Sequence, residues 1–265
     1  MSEKKNRVAI VGASGYTGSD LIRLALRHPH ISINALTAAT HAGKNIDQVF
    51  PHLSGAGLPR LVTNDEVNWD DIDTVFCGLP HATSQKVIKS LPAHLKIIDM
   101  SADFRLRDTQ TYEETYGNPH AAKELQKEAV YGLSEHYRDQ IANARLVACP
   151  GCYPTATLLL LLPLVREGLI DPTDLIIDAK SGLTGAGRSP KQNTLFSEAG
   201  EGLGPYAVAQ HRHAPEIEQE ISVAAKSNVI VNFTPHLIPM SRGELITCYA
   251  RVNTCLLYTS DAADE

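Results

Sequence analysis

The chain is 265 residues long, with 24 basic and 30 acidic side chains and a net charge of −6. A negative balance of this size gives no electrostatic reason to expect nucleic acid or an anionic membrane as a partner. Hydrophobic residues make up 43% of the chain, which is typical of a globular protein with one or two domains. No apolar run approaches the roughly 20 residues that span a bilayer. The leucine run at residues 158–162 predicts a buried helix that ends before Pro163.

The cysteines and the N-terminal sequence predict a cytoplasmic protein. Residues 1–7 are polar and lead directly into an apolar segment, so we expect no signal peptide. Five cysteines, an odd number without a framework spacing, are typical of a reducing compartment. Cys149 and Cys152 form a Cys-x-x-Cys pair, but a zinc ribbon needs a second pair that the sequence lacks, so we predict no metal. A thioredoxin-like dithiol is the alternative interpretation of this pair.

The N-terminal forty residues predict a dinucleotide-binding unit. Residues 7–11 form an apolar run typical of a buried parallel strand, residues 19–27 have a helical pattern, and residues 31–36 predict a second strand. A glycine turn separates the first strand from the helix, and its main-chain N–H groups can approach a pyrophosphate. The predicted cofactor-binding residues of this turn are Gly12, Ser14, Gly15, Tyr16, Thr17 and Gly18. The spacing is Gly-x-x-Gly-x-x-Gly rather than the usual Gly-x-Gly-x-x-Gly. A glycine turn that only connects strand and helix is therefore the alternative.

The segment after the second strand indicates which cofactor binds. NAD sites usually place an Asp or Glu there to accept the ribose 2′-hydroxyl. Residues 37–44 contain no acid, whereas Thr40 and Lys44 can bind a 2′-phosphate. We therefore expect NADP(H) rather than NAD as the cofactor.

Strand and helix patterns continue to alternate through the first half. The predicted elements are a strand at residues 74–77, a helix at residues 84–91 and a strand at residues 96–99. In open parallel sheets, ligands bind beyond the carboxyl ends of the strands. Arg105 follows the last of these strands, and a fixed guanidinium there can bind a carboxylate or phosphate through two hydrogen bonds. A surface ion pair with Asp103 or Asp108 is the alternative.

Cys152 lies where an apolar strand at residues 146–148 turns into a predicted helix at residues 155–165. The first N–H groups of a helix have no internal partner and the helix dipole is positive there, so a thiolate is favoured at Cys152. Such a cysteine can have its pKa lowered from about 8.5 into the range of about 3.5–7.5, which makes it a nucleophile. A small buried hydrophobic side chain is the alternative interpretation.

Two basic segments of the second half predict further ligand contacts. A strand at residues 175–179 leads into a glycine-rich loop that ends at Arg188, which can bind an anion unless the loop is only a flexible connection. His211, Arg212 and His213 precede a predicted helix, where cations oppose the dipole. Solvated surface histidines are the alternative. A nucleophilic cysteine, a titratable partner and a hydride carrier together predict a thiol-dependent oxidoreductase.

Six motifs along the chain carry a resemblance to a known family. They lie at residues 12–18, 101–105, 150–155, 181–188, 211–217 and 233–243. Together they resemble the N-acetyl-gamma-glutamyl-phosphate reductases of the semialdehyde dehydrogenase superfamily over residues 8–252. The resemblance implies NADPH-dependent reduction of N-acetyl-5-glutamyl phosphate to N-acetylglutamate 5-semialdehyde and phosphate, a step of arginine biosynthesis, through a cysteine thioester.

The resemblance also implies a role for each candidate residue. Cys152 attacks the acyl phosphate, and either His211 or His213 is the acid–base residue. Glu216 is a hypothetical orienting residue for that histidine, because it is close in sequence. The remaining assignments are Ser181, Gly182 and Gly185 to the cofactor, and Arg105 and Arg188 to the carboxylate and phosphate of the substrate.

The sequence predicts two domains and an atypical C-terminal segment. We expect a Rossmann-type NADP-binding domain, an α/β fold with a doubly wound parallel sheet, at residues 1–149. An α+β catalytic and dimerisation domain, incomplete compared with the family, is expected at residues 150–253. Residues 254–265 depart from the family's pattern and are expected to be a non-native tail that follows a truncation. The full-length protein is expected to form a homo-oligomer, either a dimer or a tetramer.

Other functions remain open on the sequence alone. Related acyl-phosphate reductases share the fold and the thiol mechanism, namely aspartate-semialdehyde dehydrogenase and a relative that acts on aminoadipyl phosphate attached to a carrier protein. A non-catalytic NADP-binding module, including an inactive truncated fragment, and a cysteine hydrolase are the alternatives from other classes. Rapid alkylation of Cys152 would argue for a nucleophile, and ester turnover without NADPH for a hydrolase.

Overall fold

The computed structural model describes residues 5–253, which divide into two compact units. The first unit runs from the N-terminus to residue 150 and includes the short segment 186–189. The second unit is formed by residues 151–185 together with the chain from residue 190 onward. The tail predicted at residues 254–265 lies outside the described residues.

Seven strands form one parallel sheet in the described part of the first unit. They are β1 (Asn6–Val11), β2 (Ile31–Thr37), β3 (Leu61–Val62), β4 (Thr74–Cys77), β5 (Lys96–Asp99), β6 (Val130–Tyr131) and β7 (Leu146–Ala148). The order is β3-β2-β1-β4-β5-β7-β6, and every neighbouring pair is parallel. The order reverses between β1 and β4, as it does in a doubly wound sheet. The predicted Rossmann-type fold is therefore confirmed.

Both faces of this sheet are covered, so the central strand β1 is apolar and buried from Val8 to Val11. Ala9 and Val11 belong to one buried cluster, while Ile10 belongs to a second cluster on the other face, since side chains alternate along a strand. The helices of the unit are α1 (Tyr16–Ala25), α2 (Ser84–Ser90), α3 (Thr109–Tyr116), α4 (Lys123–Gln126) and α5 (Ser134–Asn143). Ile22 of α1 packs into the second cluster.

Helix α1 begins three residues earlier than the sequence pattern predicts, at Tyr16 rather than at residue 19. Gly15 has extended backbone angles and stands at the N-cap position, so the helix starts inside the glycine turn. Leu26 lies beyond the last helical residue, and its side chain is 45% exposed. The early start places the first turn of α1 next to the end of β1.

The second unit has a mixed sheet with helices on one face. Its described strands are β8 (Leu175–Ser181), β9 (Gly204–Pro205), β10 (Val231–Leu237) and β11 (Glu244–Tyr249), and its helices are α6 (Cys152–Arg166), α7 (Phe196–Ala199) and α8 (Ala214–Ala225). The sheet order is β11-β8-β10-β9, with β8 and β10 parallel and the outer pairs antiparallel. Helices α6 and α8 pack against each other, α6 against β11 and α8 against β10. The predicted α+β architecture is confirmed.

The prediction that Pro163 stops the leucine-rich helix early is wrong, because α6 continues through it to Arg166, close to the end of the helix predicted at residues 155–165. A proline inside a helix leaves one carbonyl of the preceding turn without its hydrogen bond. That carbonyl belongs to Leu159, whose side chain is 38% exposed, so water can hydrate this side of the helix. Neither α6 nor any other helix within residues 5–253 is long and apolar enough to cross a membrane.

Candidate active site

The glycine turn of the first unit is shaped by the close approach of two strand ends. Gly12 has a φ of +81°, and a Cβ atom there would lie 2.5 Å from the carbonyl oxygen of Gly78, which follows β4. The N–H groups of Gly12 and Ala13 both donate to the carbonyl of Thr37. The N–H groups in the first turn of α1 have no partner within the helix. They lie at the carboxyl edge of the sheet, at the point where the strand order reverses, which is where such sheets bind nucleotides.

The segment after β2 presents cations. Thr40 and Lys44, the two residues predicted to bind a 2′-phosphate, are both exposed. The guanidinium of Arg60 lies close to Gly43, with an Nη atom 3.3 Å from the position that a Cβ atom would occupy. Sequence reasoning missed Arg60, because it lies on the far side of a loop and shows no motif. Lys44 and the neighbouring Arg60 therefore supply two positive charges at this segment. Residues 37–44 carry no carboxylate.

Arg188 lies at the glycine turn of the first unit. Its Nη1 and Nη2 atoms donate to the main-chain carbonyls of Ser14 and Val49, each at 3.3 Å. Its guanidinium carbon is 4.7 Å from the ring centroid of Phe50. These contacts hold the side chain in place, so the alternative of a merely flexible connection is wrong for Arg188. That Arg188 binds the substrate stays a prediction. Its contacts in the structure are with residues at the predicted dinucleotide-binding turn.

Arg105 is a buried side chain at the carboxyl edge of the first sheet, with 9% of its surface exposed. Its Nε atom donates to the carbonyl of Cys149 at 2.8 Å, and Nη2 donates to that of Met100 at 3.2 Å. These carbonyls follow directly after β7 and β5. The alternative of a surface ion pair is wrong, since the side chain is buried and Asp108 caps α3 instead. Its predicted contact with an anionic ligand remains a prediction.

Cys152 is the first residue of α6 and is exposed. The N-cap residue Gly151 donates its N–H to Glu216 Oε1 at 2.8 Å, and Glu216 is only 1% exposed. Because an N–H at the start of a helix has no partner within the helix, this buried carboxylate fixes the chain directly before the thiol. The alternative of a buried hydrophobic cysteine is wrong. Orientation of a histidine by Glu216 stays a prediction.

His211 lies in an aromatic surrounding formed by side chains of the second unit. Its ring centroid is 5.5 Å from that of Tyr153, 5.4 Å from Tyr206, 5.3 Å from Phe233 and 4.8 Å from His213. Burial, and then the charge of the neighbouring Arg212, lower the pKa of His211 to about 4. The imidazole is therefore neutral at pH 7. The alternative interpretation of this segment, in which the histidines are solvated on the surface, is wrong for His211.

The hydrogen bonds of His211 select one tautomer. Its Nδ1 accepts the main-chain N–H of His213 at 3.1 Å. A neutral imidazole with an accepting Nδ1 carries its proton on Nε2. His213 is the N-cap residue of α8.

Within residues 5–253, no group of three or more His, Cys, Asp or Glu side chains is placed to hold a metal ion.

Three further polar side chains near Cys152 were missed by sequence reasoning. The hydroxyl of Tyr206 donates to that of Tyr153 at 3.1 Å, and burial raises the pKa of both. Glu244 lies at the start of β11, where burial raises the pKa of its carboxyl and an interaction with Cys152 lowers it. Tyr153 follows the cysteine directly and could have been noticed as an aromatic in an apolar helix. No sequence signal points to Tyr206 or Glu244, because each is far from Cys152 along the chain.

The predicted cofactor residues of the second unit lie at the end of β8. A Cβ atom at Gly182 would lie 2.9 Å from the main-chain nitrogen of Arg242, so only glycine allows this approach of two segments. Gly182 donates its N–H to Gly243 at 2.9 Å, and Gly185 donates to Gly182 at 3.3 Å. Ser181 is buried, and its hydroxyl donates to the carbonyl of Gly182. These glycines have a packing reason of their own, and their cofactor role stays a prediction.

Family profiles match both parts of the chain. Residues 7–144 match the semialdehyde dehydrogenase NAD binding domain, and residues 152–262 match the semialdehyde dehydrogenase dimerisation domain. The chain belongs to the semialdehyde dehydrogenase family. Its first unit accordingly carries the family's nicotinamide-cofactor domain, and its second unit carries the dimerisation domain.

Relatives within this family share about half of their residues with the chain. A protein from Rhodospirillum rubrum named N-acetyl-gamma-glutamyl-phosphate reductase is 56% identical over 95% of the chain and 72% of its own length. The probable chloroplastic N-acetyl-gamma-glutamyl-phosphate reductases of Arabidopsis thaliana and Oryza sativa are 53% and 51% identical, over 94% and 95% of the chain. The chain spans 62% and 60% of the lengths of these two plant proteins.

Two solved structures share the fold of this chain at low sequence identity. Aspartate semialdehyde dehydrogenase II from Vibrio cholerae superposes with a TM-score of 0.70 at 14% identity, covering 95% of this chain and 76% of that one. The Candida albicans aspartate semialdehyde dehydrogenase, solved with NADP, gives 0.66 at 18% identity, covering 95% and 72%. At these identities the comparison establishes the fold alone.

Proposed function

We propose that this protein is an NADPH-dependent reductase that converts N-acetyl-5-glutamyl phosphate to N-acetylglutamate 5-semialdehyde and phosphate. The observation that carries the proposal is an exposed thiol on the first residue of a helix, with a neutral histidine and two tyrosines in the same unit. The names of the relatives that share half of its sequence supply the substrate class.

In the first half of the reaction, Cys152 acts as the nucleophile. Its thiolate attacks the acyl carbon, the bond from that carbon to the phosphate oxygen breaks, and phosphate leaves with a proton from solvent. The product is a thioester on Sγ. The start of α6 favours this step, because the dipole and the unpaired N–H groups of the first turn stabilise negative charge on sulfur.

In the second half, His211 is the residue we assign to the acid–base role. When bound, a nicotinamide cofactor would supply the hydride that reduces the carbonyl carbon of the thioester on Cys152. The Nε2–H of His211 donates a hydrogen bond to the oxygen on which negative charge develops, since Nδ1 is engaged by the His213 main chain. The oxygen then re-forms its double bond to carbon, the C–S bond breaks, and the aldehyde leaves Cys152 as a thiolate.

The residues of the first unit fit a dinucleotide phosphate. The turn at Gly12 admits no side chain, so the main chain itself forms the surface that approaches the pyrophosphate. NADP(H) is favoured over NAD because residues 37–44 carry no acid and because Lys44 and Arg60 supply positive charge. We infer that Arg188, bonded to the carbonyl of Ser14, contributes to this cofactor site rather than binding substrate.

Self-association and a cytoplasmic location complete the proposal. Ile176, Leu245 and Tyr249 are exposed and lie on one face of the second sheet, where an apolar surface favours a second copy, as a dimer or a tetramer. Among the described residues, Cys77, Cys149, Cys152 and Cys248 are all free thiols, which supports a reducing compartment.

The reverse reaction tests the proposed function. We expect the protein to reduce NADP⁺ when supplied with N-acetylglutamate 5-semialdehyde and phosphate, followed by absorbance at 340 nm. Cys152→Ser should lower the rate by about 10³-fold or more, since no other nucleophile replaces the thiol. Cys149→Ser is the matched control, because it removes a neighbouring cysteine and should retain activity.

The same assay separates the alternatives. Turnover of aspartate semialdehyde in preference to the N-acetylated substrate would identify an aspartate-semialdehyde dehydrogenase, and turnover only of a carrier-bound substrate would identify the aminoadipyl type. Ester hydrolysis without NADPH would identify a cysteine hydrolase. Full turnover by Cys152→Ser would overturn the assignment of the nucleophile.

A further inference from the structure

Two buried carboxyl groups of the first unit are joined by two serine hydroxyls. Asp99 ends β5 and Asp103 lies in the turn that follows, and both side chains are fully buried. Asp99 Oδ2 is 2.7 Å from Ser101 Oγ. That Oγ is 2.6 Å from Ser84 Oγ, which in turn is 2.7 Å from Asp103 Oδ2. We call these four side chains the carboxyl–serine chain.

The carboxyl–serine chain has three oxygen–oxygen contacts but only two hydroxyl groups. Two oxygen atoms come this close when a hydrogen lies between them. Each serine hydroxyl supplies one hydrogen, which accounts for two of the three contacts. The third hydrogen has to come from a carboxyl group, so one of the two acids is neutral.

The hydrogen bonds of Asp103 show that it is the ionised acid. Its Oδ1 accepts the main-chain N–H of Ala82 and the hydroxyl of Tyr112, each at 2.7 Å. Burial raises the pKa of Tyr112, which keeps its proton for this bond. Oδ2 accepts the N–H of Gln85 at 3.2 Å besides the hydroxyl of Ser84. Four donors converge on two oxygen atoms, so a further hydrogen on this carboxyl would face them at close range.

Charge balance also assigns the proton to Asp99. Within residues 5–150, the buried Asp, Glu, Lys and Arg side chains are Asp99, Asp103 and Arg105. Arg105 compensates one carboxylate, and a second one would be a buried charge without compensation. Asp99 accepts the N–H of Ser101 on Oδ1 at 3.1 Å, which leaves Oδ2 to carry the hydrogen. Burial raises the pKa of Asp99 from 3.8 to about 6, against the opposing effect of its bonds with Ser101.

Other titratable side chains around the two acids are neutral at pH 7. Cys77 of β4 pairs with Asp99 in the sheet, and Cys149 donates its main-chain N–H to the Asp99 carbonyl at 2.7 Å. Burial raises the pKa of both thiols. His120 Nε2 lies 2.9 Å from the carbonyl oxygen of Asp103, and burial lowers the pKa of its ring. None of these three groups supplies a positive charge that would compensate a second carboxylate.

We propose that Asp99 is a neutral carboxylic acid, the first donor of a chain that holds the Arg105 turn in place. Its O–H donates to Ser101, and the serines pass the direction of donation on to the Asp103 carboxylate. The main-chain N–H of Asp103 donates to Ser101 Oγ at 3.1 Å, so the chain also ties the turn together. Arg105 leaves this turn and donates from Nε to the Cys149 carbonyl. The four side chains are positioning residues, and the part of the inference that concerns catalysis rests on the proposed function.

The same substitution at the two ends of the chain should have opposite effects. Asparagine at Asp99 can donate to Ser101 and accept on Oδ1, as the neutral acid does. Asparagine at Asp103 places an amino group among four donors. At pH 7 the urea midpoint of Asp99→Asn should equal or exceed that of the unmodified protein, and that of Asp103→Asn should be lower. A lower midpoint for Asp99→Asn, or an unchanged one for Asp103→Asn, overturns the assignment of the proton.

The pH dependence of stability distinguishes a neutral acid from a carboxylate at Asp99. Between pH 3.8 and about 6 the unfolded chain releases this proton and the folded chain keeps it, so the unmodified protein loses stability as pH rises. Asparagine has no such proton. The ratio of the unfolding constant of the unmodified protein to that of Asp99→Asn should rise about 10²-fold from pH 4 to pH 7. A ratio that does not rise overturns the proposal.

Kinetics test whether the chain positions Arg105. Ser84→Ala removes the middle hydroxyl and should raise KM for the acyl phosphate about 10-fold with little change in kcat, because a displaced guanidinium binds an anion less well. Ser90→Ala, which removes an exposed hydroxyl of the same helix, is the matched control and should change neither. An unchanged KM in Ser84→Ala overturns the positioning role. If the unmodified protein reduces no acyl phosphate, the proposed function fails, while the two stability measurements still decide where the proton lies.

Discussion

The glycine turn of the first unit and the thiol site of the second unit are built in different ways. The turn is formed by main-chain atoms of residues 12–18 and of two neighbouring strand ends, at Gly78 and Thr37. The thiol site is formed by side chains from α6, the loop before α8, and β11. A site made of main chain depends on space and backbone angles. A site made of side chains depends on charge and on the position of protons.

This difference predicts which substitutions are tolerated at each site. At Gly12 and Gly18 of the turn, an added Cβ atom collides with main chain, whatever the polarity of the side chain. At the thiol site, a change of similar size that alters a proton donor or acceptor leaves packing intact and changes chemistry. The three predictions below test the contrast, from the largest expected effect to the smallest.

Gly12→Ala should give the largest loss of stability. The added Cβ would lie 2.5 Å from the Gly78 carbonyl oxygen, and the φ of +81° is unfavourable for alanine. We expect the free energy of unfolding of the first unit to fall by about 3 kcal/mol or more, measured by urea denaturation. Cofactor binding should weaken in parallel.

Gly55→Ala is the matched control for this prediction. Gly55 has a φ of +75°, but an added Cβ would have no heavy atom within 4 Å. It therefore carries the backbone strain without the collision, and we expect a loss of only about 1 kcal/mol. Equal losses in the two variants would mean that backbone angle, and not the contact between the two strand ends, determines the stability of the turn.

The same contrast explains how much the sequence predicts. The run at β1 and the glycines after it are local signals, because a buried strand and a tight turn each follow from neighbouring residues. The position of Cys152 before an apolar helix is equally local. The first unit, its parallel sheet and the thiol could therefore be predicted from the sequence.

What the sequence does not predict depends on contacts between distant segments. Glu216 reaches the N–H of Gly151 from a helix far along the chain, and Arg188 reaches Ser14 although it follows β8 in sequence. The pattern around Pro163 predicts a helix end, but the helix continues because the carbonyl that loses its partner is on a hydrated face. The tautomer of His211 depends on one main-chain N–H, which no composition or spacing reveals.

The stability of the second unit should depend on pH through His211. Burial and Arg212 lower the pKa of this histidine from 6.5 to about 4. Between these values the unfolded chain binds a proton at His211 and the folded chain does not, so the free energy of unfolding falls as pH falls from about 6.5 to about 4. In His211→Asn, the fall in the free energy of unfolding over this pH range should be smaller by about 2–3 kcal/mol, because no imidazole is left to bind the proton. The asparagine side-chain oxygen can still accept the His213 N–H, so the local hydrogen bond is kept.

His28 provides the control in the first unit. Its Nδ1 accepts the N–H of His30 at 3.2 Å, which repeats the local bond of His211, but its side chain is exposed. His28→Asn shows what the loss of this local bond costs at an exposed ring. A difference between His211→Asn and the unmodified protein that stays constant from pH 4 to about 6.5 would show that the aromatic surrounding of His211 does not keep the ring neutral.

The smallest effect on stability is expected from relief of backbone strain at one alanine in each unit. The two substitutions should differ in their effect on kcat. Ala82 follows β4 with a φ of +62°, and its N–H donates to the buried carboxylate of Asp103 at 2.7 Å. Ala209 has a φ of +57° in the loop before His211. Left-handed angles cost an alanine about 1 kcal/mol, so Ala82→Gly and Ala209→Gly should each raise the free energy of unfolding by about 0.5–1 kcal/mol.

Activity should distinguish these two variants although their stability gains are equal. The first unit keeps its loop through the Asp103 hydrogen bond, so Ala82→Gly should leave kcat unchanged. In the second unit the loop angle at Ala209 determines where the His211 ring enters its aromatic surrounding, and glycine widens the range of positions. We therefore expect kcat of Ala209→Gly to fall a few-fold, because a proton donor misplaced by a fraction of an ångström stabilises the charged oxygen less well. Equal kcat values would mean that the tyrosine and histidine contacts alone hold His211, and that the strain at Ala209 has no part in positioning it.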